Sequence, residues 1–304
     1  MAFKRIVERT LPSGKVAKVY PFHMSLEGME STLLCRDEED YDHLEKSFYI
    51  SALKTDCVVI IQIAMSSHGH CSMLAANEKS AFAMATMVKK RHSQYLSWKY
   101  NEPKILARSD VSVKYLDSDW YVRNALAYIP RNAIDAGARV EDYRWSSYRG
   151  MFVDGRCPSA VRRVSDLSRR EREIIFRTHD DLSRVPWLIN ADGGIEPASA
   201  CDYRYLEDAF GNDQAFFLKT IDTVNNAEMQ QLLVTSGRAR QTDSDMLAVL
   251  KNLADKWYHK TLIDLTPEMK ARLLPYVYRS YRTSVPQLAR CLGMSRDIVA
   301  ELLK

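Results

Sequence analysis

The sequence predicts an α+β fold, in which an antiparallel sheet with helices is followed by an all-helical region. Residues 58–65 form an apolar run that is rich in β-branched residues and too short to span a bilayer, so they are predicted to be a buried strand. Strand-like and helix-like segments alternate before Gly155, whereas the later sequence is charged, helix-forming and poor in strand signals. These two observations predict the fold class.

The first elements are predicted from their polar boundaries. Residues 15–25 and 31–36 are predicted to be a pair of strands joined through Gly28. Asp37 is predicted to cap a helix that ends near residue 54, because acidic residues occupy its first turn, where the helix dipole favours them. The apolar strand follows this helix.

Two further helices complete the predicted layer. Asn77 can cap a helix over Glu78–Lys99, and Ser118 or Asp117 can cap a later one, with a possible strand over residues 111–115 between them. The apolar stripe of the first of these helices is predicted to be core and consists of Phe82, Met84, Met87 and Val88. This order of elements fits a ferredoxin-like layer with its helices on one face of the sheet.

A pair of histidines, His68 and His70, follows the apolar run. Residues two apart on a strand point to the same face, so both imidazoles project together if the strand continues through them. Imidazole is a common metal ligand, and the pair therefore supplies half of a metal site. Such a pair is also often a surface feature at the end of a strand. Cys71 points to the opposite face and is excluded as a ligand.

Tyr128 and Asn132 lie four residues apart on the last predicted helix of this layer. At this spacing their Cβ atoms are about 5–6 Å apart on one helical face. One helix can therefore offer a nucleophile and a third metal ligand, although a tyrosine on an amphipathic helix is usually a core residue. Pro130 lies between them and commonly kinks a helix, so the spacing depends on a regular helix.

Several segments occur in a distinctive order over about half of the chain. They are residues 22–31, residues 36–41, the histidine pair, residues 128–137 and residues 142–148. In this order they resemble the single-tyrosine HUH transposases, in particular the REP-associated tyrosine transposases of the insertion-sequence 200-like group. Two positions depart from the family pattern, which usually has a bulky apolar residue in place of Gly69 and commonly a proline in place of Ala133.

The resemblance implies a ferredoxin-like HUH domain that acts on single-stranded or hairpin DNA. His68, His70 and Asn132 would bind Mg²⁺ or Mn²⁺, which acts as a Lewis acid on the scissile phosphate. Tyr128 would attack that phosphate, form a 5′-phosphotyrosine link and release a 3′-hydroxyl, so that rejoining needs no ATP.

Two other functions stay open. Gly69 and Ala133 motivate a domesticated regulator that binds DNA without cleaving it. The histidine pair would also suit a metal-dependent DNA hydrolase that uses water and has no tyrosine intermediate.

The last forty residues predict a helix-turn-helix. A short helix, a turn that contains Gly293 and a second helix that begins at Ser295 and Arg296 form this pattern, whose second helix enters the major groove of DNA. Ser295 and Arg296 are therefore predicted to contact DNA. The predicted core of the motif consists of Leu288, Ala289, Leu292, Ile298 and Leu302. The alternative is a helical hairpin that serves only packing or dimerisation.

The net charge of +4 is a weak indication of nucleic-acid binding, and the distribution of charge is more informative. Lys89, Lys90 and Arg91 form a basic cluster that is followed by aromatic residues, a combination that suits single-stranded or hairpin DNA, and they are predicted to contact it. Such a cluster is otherwise a solvated face. The other basic residues noted are Arg162, Arg163, Arg169, Arg170, Arg172, Arg238, Arg240, Arg279 and Arg282.

At 304 residues the chain exceeds a usual single domain. Three regions are predicted: an HUH transposase-like domain over residues 1–155, a helical middle region over residues 156–240 and a helix-turn-helix domain over residues 241–304.

The 6 cysteines lack C-x-x-C spacing and are expected to be reduced thiols. With no signal or membrane segment, the protein is expected in the cytoplasm, without a membrane partner and as a monomer or a homodimer.

Overall fold

The computed structural model describes residues 3–28, 33–107, 109–152, 159–233, 243–280, 283 and 285–303. The chain divides into two compact units, residues 1–234 and residues 235–304. The domain boundaries predicted near residues 155 and 240 lie outside the described residues. Within the described ranges, every helix is too short or too polar to cross a membrane.

The first unit is an α+β structure, as predicted. Its main strands are β1 (Val7–Thr10), β2 (Val16–Glu27), β3 (Val58–Ala64), β4 (His68–Ala75) and β5 (Asp110–Tyr115). The long helices between and after them are α1 (Glu38–Lys54), α2 (Glu78–Lys99) and α3 (Asp119–Asp135). Four strands lie side by side in the order β5, β2, β4, β3, all antiparallel, and β1 also pairs with β2. From β2 to β5 the chain therefore follows the strand–helix–strand–strand–helix–strand order of a ferredoxin-like layer.

The remaining elements of the first unit are short. Two short strands, β6 (Arg162–Arg163) and β7 (Leu188–Ile189), pair with each other. The helices are α4 (Arg169–Phe176), α5 (Tyr203–Ala209), α6 (Gln214–Thr223) and α7 (Asn226–Leu233), with single 3₁₀ turns over Ser147–Gly150, Val164–Asp166 and Pro197–Ser199.

The predicted strand pair near the N-terminus is only half correct, because the first strand is present as β2 whereas the described part of the second is a loop. Residues 33–36 are not a strand, and residues 29–32 lie outside the described part of the chain. Leu34 and Cys35 are buried, and their amides donate to the carbonyl of Ser66 at 2.7 and 3.1 Å, so a loop buries the apolar residues that had indicated a strand. The strand before β2, β1, pairs with the first residues of β2 instead, and it is too short and too exposed to have a clear sequence signal.

The predicted caps of the long helices are confirmed. The side chain of Asp37 accepts from the amide of Asp40 at 3.1 Å, that of Asn77 from Ser80 at 2.9 Å, and that of Ser118 from Tyr121 at 3.2 Å. These are the ordinary positions of N-cap side chains, each of which satisfies one free amide of the first turn.

The predicted apolar stripe of α2 is only partly correct. Met84 and Val88 are fully buried, whereas Phe82 is 52% exposed and Met87 is half-buried. The stripe that packs on the sheet contains Ala81 and Ala85 instead of the two larger side chains.

The helices cover both faces of the sheet, which corrects the prediction that they lie on one face. Phe48 of α1 and Val88 of α2 belong to the core on one side, where Cys71 of β4 also lies. Leu126 and Ile129 of α3 belong to the core on the other side. Because side chains alternate along a strand, β4 presents Cys71 to the first core and its two histidines to the side of α3. Cys71 is thus turned away from the histidines, as predicted.

Three side chains of α3 donate hydrogen bonds to backbone carbonyls near the ends of later helices. The Arg123 guanidinium donates to the carbonyl of Ala209 at 2.6 Å, and Arg131 donates to the carbonyl of Ile221 at 2.9 Å. The hydroxyl of Tyr121 donates to the carbonyl of Leu232 at 3.0 Å. These carbonyls lie at the ends of α5, α6 and α7, where the last carbonyls of a helix lack partners within it.

The second unit is helical. It contains α8 (Asp243–Tyr258), α9 (Pro267–Ser280), α10 (Val285–Leu292) and α11 (Arg296–Leu302). Gly293 has φ +63°, a left-handed conformation that glycine adopts without strain, and it ends α10 before Ser295 caps α11.

The predicted core of this pair of helices needs one correction. Leu288, Ala289 and Leu292 are buried, but Ile298 is 50% and Leu302 is 40% exposed. Val299 is fully buried in their place, because the short helix turns that side chain toward the core of the unit. Two helices and a turn are therefore present at the predicted positions, and DNA binding by them stays a prediction.

The described cysteines are free thiols, as expected. They are Cys35, Cys57, Cys71, Cys201 and Cys291, and Cys157 lies outside the described residues.

Candidate functional site

The four residues predicted for catalysis and metal binding line one pocket of about 300 Å³. His68 and His70 come from β4, and Tyr128 and Asn132 come from α3, which covers that face of the sheet. Tyr128 is 3% exposed, and its ring centroid lies 5.2 Å from that of His70. The helix and the strand thus meet where the sequence pattern predicts a nucleophile and its ligands.

The two histidines share a face because both belong to β4, which begins at His68. A tight turn at Ser66 and Ser67 joins β3 to β4, and the amide of Met65 donates to the carbonyl of His68 at 2.8 Å. From there β4 is regular and antiparallel to β2 and β3, so alternation sends both rings toward α3.

Gly69, between the histidines, faces the core on the opposite side. A Cβ atom at this position would lie 3.2 Å from Cζ of Phe48 and 3.6 Å from Cδ2 of Leu44. Both neighbouring side chains are fully buried. The room that a bulky residue would need beneath the histidines is therefore already occupied by α1, and the glycine leaves no hole there.

Pro130 does not interrupt α3, which runs from Asp119 to Asp135 as one helix. Tyr128 and Asn132 therefore keep their i, i+4 relation. The Asn132 amide nitrogen donates to the carbonyls of Tyr128 at 2.8 Å and Ile129 at 3.2 Å. These bonds orient the amide so that its Oδ1 lies 3.1 Å from Nε2 of His68.

Three residues of β2 extend the polar surface of this face, and they were not predicted as site residues. His23, Ser25 and Glu27 lie directly opposite Ser72, His70 and His68 of β4. Their signal in the sequence is an alternation of polar side chains with the apolar Phe22, Met24 and Leu26. The strand is buried on both faces, and polar residues on a buried face indicate a site rather than a solvated edge.

The histidines of this face are neutral. Burial lowers the pKa of His23 to about 3, and it lowers the pKa of His68 and, much further, that of His70. A neutral imidazole keeps one lone pair for a metal ion, whereas an imidazolium has none.

Acidic groups are also present in the pocket. Burial raises the pKa of Glu27 to about 7, and within the described part of the chain its Oε1 is buried without a hydrogen-bond partner. Burial raises the pKa of the Tyr128 phenol, and the nearby charges of Glu27 and Asp135 raise it further. The phenol is therefore protonated in the free protein, and a positive charge in the pocket would lower its pKa.

The donor set fits a divalent ion. His68 Nε2 and Asn132 Oδ1 are 3.1 Å apart, which is the separation of two adjacent ligands that each lie about 2.1–2.2 Å from one metal. Among the described residues, no three His, Cys, Asp or Glu side chains are arranged to hold an ion, so a set built on the two histidines would need the amide oxygen of Asn132 as well. The buried, unpartnered oxygen of Glu27 is consistent with a cation in this pocket.

Two of the three basic residues predicted to contact DNA are engaged within the protein. Lys89 donates to the carbonyl of Ser109 at 2.6 Å, and Arg91 approaches Asp180 at 3.4 Å, while Lys90 is exposed. All three belong to α2, on the other side of the sheet from Tyr128.

The other two residues predicted to contact DNA lie in the second unit. Ser295 and Arg296 are exposed at the start of α11. Arg238, Arg240 and Arg282, together with the side chain of Arg279, lie outside the described residues.

Comparison with family models and with curated proteins finds no match for this chain. One solved structure, described as a REP-associated tyrosine transposase bound to a REP hairpin, is similar over 49% of this chain and 84% of its own length, at 13% identity and a TM-score of 0.33. This similarity is too low to assign a fold or a function, so a functional proposal must rest on the geometry of the pocket.

Proposed function

We propose that this protein is a single-tyrosine DNA strand transferase of the HUH type, which cleaves and rejoins single-stranded or hairpin DNA. The observation that carries the proposal is the convergence of Tyr128 with His68, His70 and Asn132 in one pocket. A phenol, two neutral imidazoles and an oriented amide oxygen are together the parts that a metal-dependent phosphotyrosine mechanism needs.

The roles of the residues follow from their positions. His68, His70 and Asn132 would hold Mg²⁺ or Mn²⁺, and the bound ion would polarise the scissile phosphate as a Lewis acid. The phenolic oxygen of Tyr128 bonds to phosphorus while the bond from phosphorus to the 3′-oxygen breaks. The phenol loses its proton, the 3′-oxygen gains one, and the DNA 5′-phosphate stays on the tyrosine. Attack by a 3′-hydroxyl reverses the step, so the strand is rejoined without ATP.

The size of the pocket favours a single strand as the substrate. Its volume of about 300 Å³ lies between α3 and the sheet, and the reactive ring is 3% exposed. A single strand can turn one phosphate into a narrow opening, whereas a regular duplex keeps its phosphates on a rigid rod about 20 Å wide. We also propose that the exposed start of α11, with Ser295 and Arg296, contacts duplex DNA such as a hairpin stem.

A non-catalytic DNA-binding protein is the second candidate. The burial of Tyr128 favours it, since a buried, protonated phenol is a poor nucleophile. A metal-dependent hydrolase without a tyrosine intermediate is the third candidate, because the ligand set alone would suffice to activate water.

Adduct formation tests the three candidates together. The protein is incubated with labelled single-stranded hairpins and Mn²⁺, and covalent adducts are separated on a denaturing gel. We expect an adduct with the wild type, none with Tyr128→Phe, and a normal amount with Tyr20→Phe, a control at a tyrosine of β2 outside the pocket. Cleavage that survives Tyr128→Phe would support the hydrolase, and binding without cleavage by the wild type would support the regulator.

A further inference from the structure

We infer that His23 is a positioning residue that holds His70 in the tautomer with its proton on Nδ1, so that the Nε2 lone pair of His70 is available to the pocket. The contact between the two rings is a property of the free protein. Its consequence for metal binding rests on the proposed function.

The inference starts from a chain of three buried side chains. Nε2 of His23 lies 3.2 Å from Nδ1 of His70, and Nδ1 of His23 lies 3.3 Å from Oγ of Ser72. All three residues are at most 1% exposed. His23 is on β2, and Ser72 lies directly opposite it on β4, so the backbone register fixes the positions of the three side chains.

Two arrangements of protons satisfy these contacts. In the first, Nδ1–H of His70 donates to Nε2 of His23, and Nδ1–H of His23 donates to Oγ of Ser72. In the second, every donor is reversed, and the proton of His70 moves to its Nε2. A neutral histidine has one donor and one acceptor nitrogen, so no other neutral arrangement makes both bonds.

The surroundings of His70 favour the first arrangement. Among the described residues, no protein acceptor is hydrogen-bonded to Nε2 of His70, so the second arrangement would turn an N–H donor into the pocket with no protein group to receive it. The first arrangement leaves a lone pair at that nitrogen, which is the atom that a metal ion needs. Metal-binding histidines generally donate their other ring N–H to a neighbouring acceptor, and His23 supplies that acceptor here.

The tautomer can be measured without metal or DNA. Protein labelled with ¹⁵N in its histidines is examined by NMR at neutral pH, and the signals of His70 are assigned by their loss in His70→Gln. We expect a protonated Nδ1 and an unprotonated Nε2 for His70 in the wild type. A protonated Nε2 on His70 in the metal-free wild type would overturn the inference, whatever the protein does with DNA.

Metal affinity supplies the second measurement. Mn²⁺ is titrated into the full-length protein and free Mn²⁺ is followed by electron paramagnetic resonance. His23→Leu removes the acceptor and should weaken Mn²⁺ binding about 10–100-fold, the usual cost of losing such a partner, while His23→Gln, whose amide oxygen can accept from His70, should retain most of the affinity.

His43→Leu is the matched control. His43 is also buried and lies 3.1 Å from a second histidine, His92, but on the other side of the sheet. The variant His43→Leu should leave the Mn²⁺ affinity unchanged even if it lowers the free energy of unfolding. Equal affinities of the wild type and His23→Leu would refute the inference, whereas a wild type that binds no Mn²⁺ and forms no adduct would refute the proposed function and leave the tautomer to be decided by NMR.

Discussion

Asn132 joins the helix to the histidine pair. Its amide nitrogen is bonded to two carbonyls of α3, and its amide oxygen therefore has one direction available, toward His68. The side chain is 4% exposed, so water contributes little to its orientation. A single amide in the first turn after Tyr128 is thus held with its oxygen toward His68, as the proposed ligand set needs.

Replacing Asn132 should therefore damage metal binding more than folding. We expect Asn132→Ala to weaken Mn²⁺ binding at least about tenfold, since it removes one of three protein ligands, and to reduce adduct formation in parallel. Titration with Mn²⁺, followed by electron paramagnetic resonance, measures the first effect. Asn124→Ala, two turns earlier on the same helix, is the control, and an equal loss of affinity in both variants would contradict the role of the Asn132 oxygen.

The carboxyl of Glu27 should make stability depend on pH. Its pKa is raised from 4.5 to about 7 by burial, so between these values the folded state binds more protons than the unfolded state. The free energy of unfolding then falls as pH rises from about 4.5 through 7, by up to about 3 kcal/mol from this residue. Burial of His23 acts in the opposite direction between about pH 3 and 6.5, a range that overlaps that of Glu27, so the comparison must be with a variant.

Glu27→Gln isolates this contribution. Urea denaturation of both proteins between pH 4.5 and 7.5 should show that the variant becomes relatively more stable as pH rises. A difference in stability between the two proteins that does not change over this range would show that the carboxyl is not titrating there.

At the scale of the elements, the packing of β4 against α1 explains the glycine between the histidines. Phe48 and Leu44 occupy the position where a larger residue at 69 would place its side chain. The sequence alone could not show this, because the two elements meet only through the fold. The space beside residue 69 is thus filled by large side chains of a different element.

Gly69→Val should overpack this core. We expect a loss of about 1–3 kcal/mol in the free energy of unfolding, measured by urea denaturation, because the new side chain clashes with Phe48. The double variant with Phe48→Ala should lose less than the sum of the two single changes. If the two losses simply add, the space around residue 69 is not filled by Phe48.

The helices α10 and α11 are the second element with a testable role. Arg296 is exposed at the start of α11, beside the exposed Ile298, and can reach a phosphate or a guanine edge. Arg296→Ala should weaken binding to a hairpin stem, and the slope of affinity against salt should flatten by about one unit if the contact is to phosphate. Arg272→Ala, on the exposed side of α9, is the control, and equal effects of both changes would indicate only a loss of net charge.

At the scale of the whole molecule, local patterns predicted the long helices well, and the four residues predicted from them for the site line one pocket. The caps at Asp37, Asn77 and Ser118 were visible because the atoms involved are within three residues of one another. The roles of His23 and Glu27 were not visible, since each depends on pairing between strands that are far apart in the sequence. The sequence analysis also placed the helices on one face of the sheet, because which face a helix covers depends on contacts between distant residues.

The hydrogen bonds between α3 and the later helices determine how much of the chain a shortened protein must contain to keep the pocket. All four site residues precede residue 150, so a truncation after the strand–helix repeat would retain every reactive group. It would also remove the carbonyls of Ala209, Ile221 and Leu232, to which α3 is bonded. The pocket residues and the carbonyls that bind the side chains of α3 thus lie in different stretches of the sequence. A shortened protein must therefore extend through about residue 233 if α3 is to keep the three hydrogen bonds that it makes here.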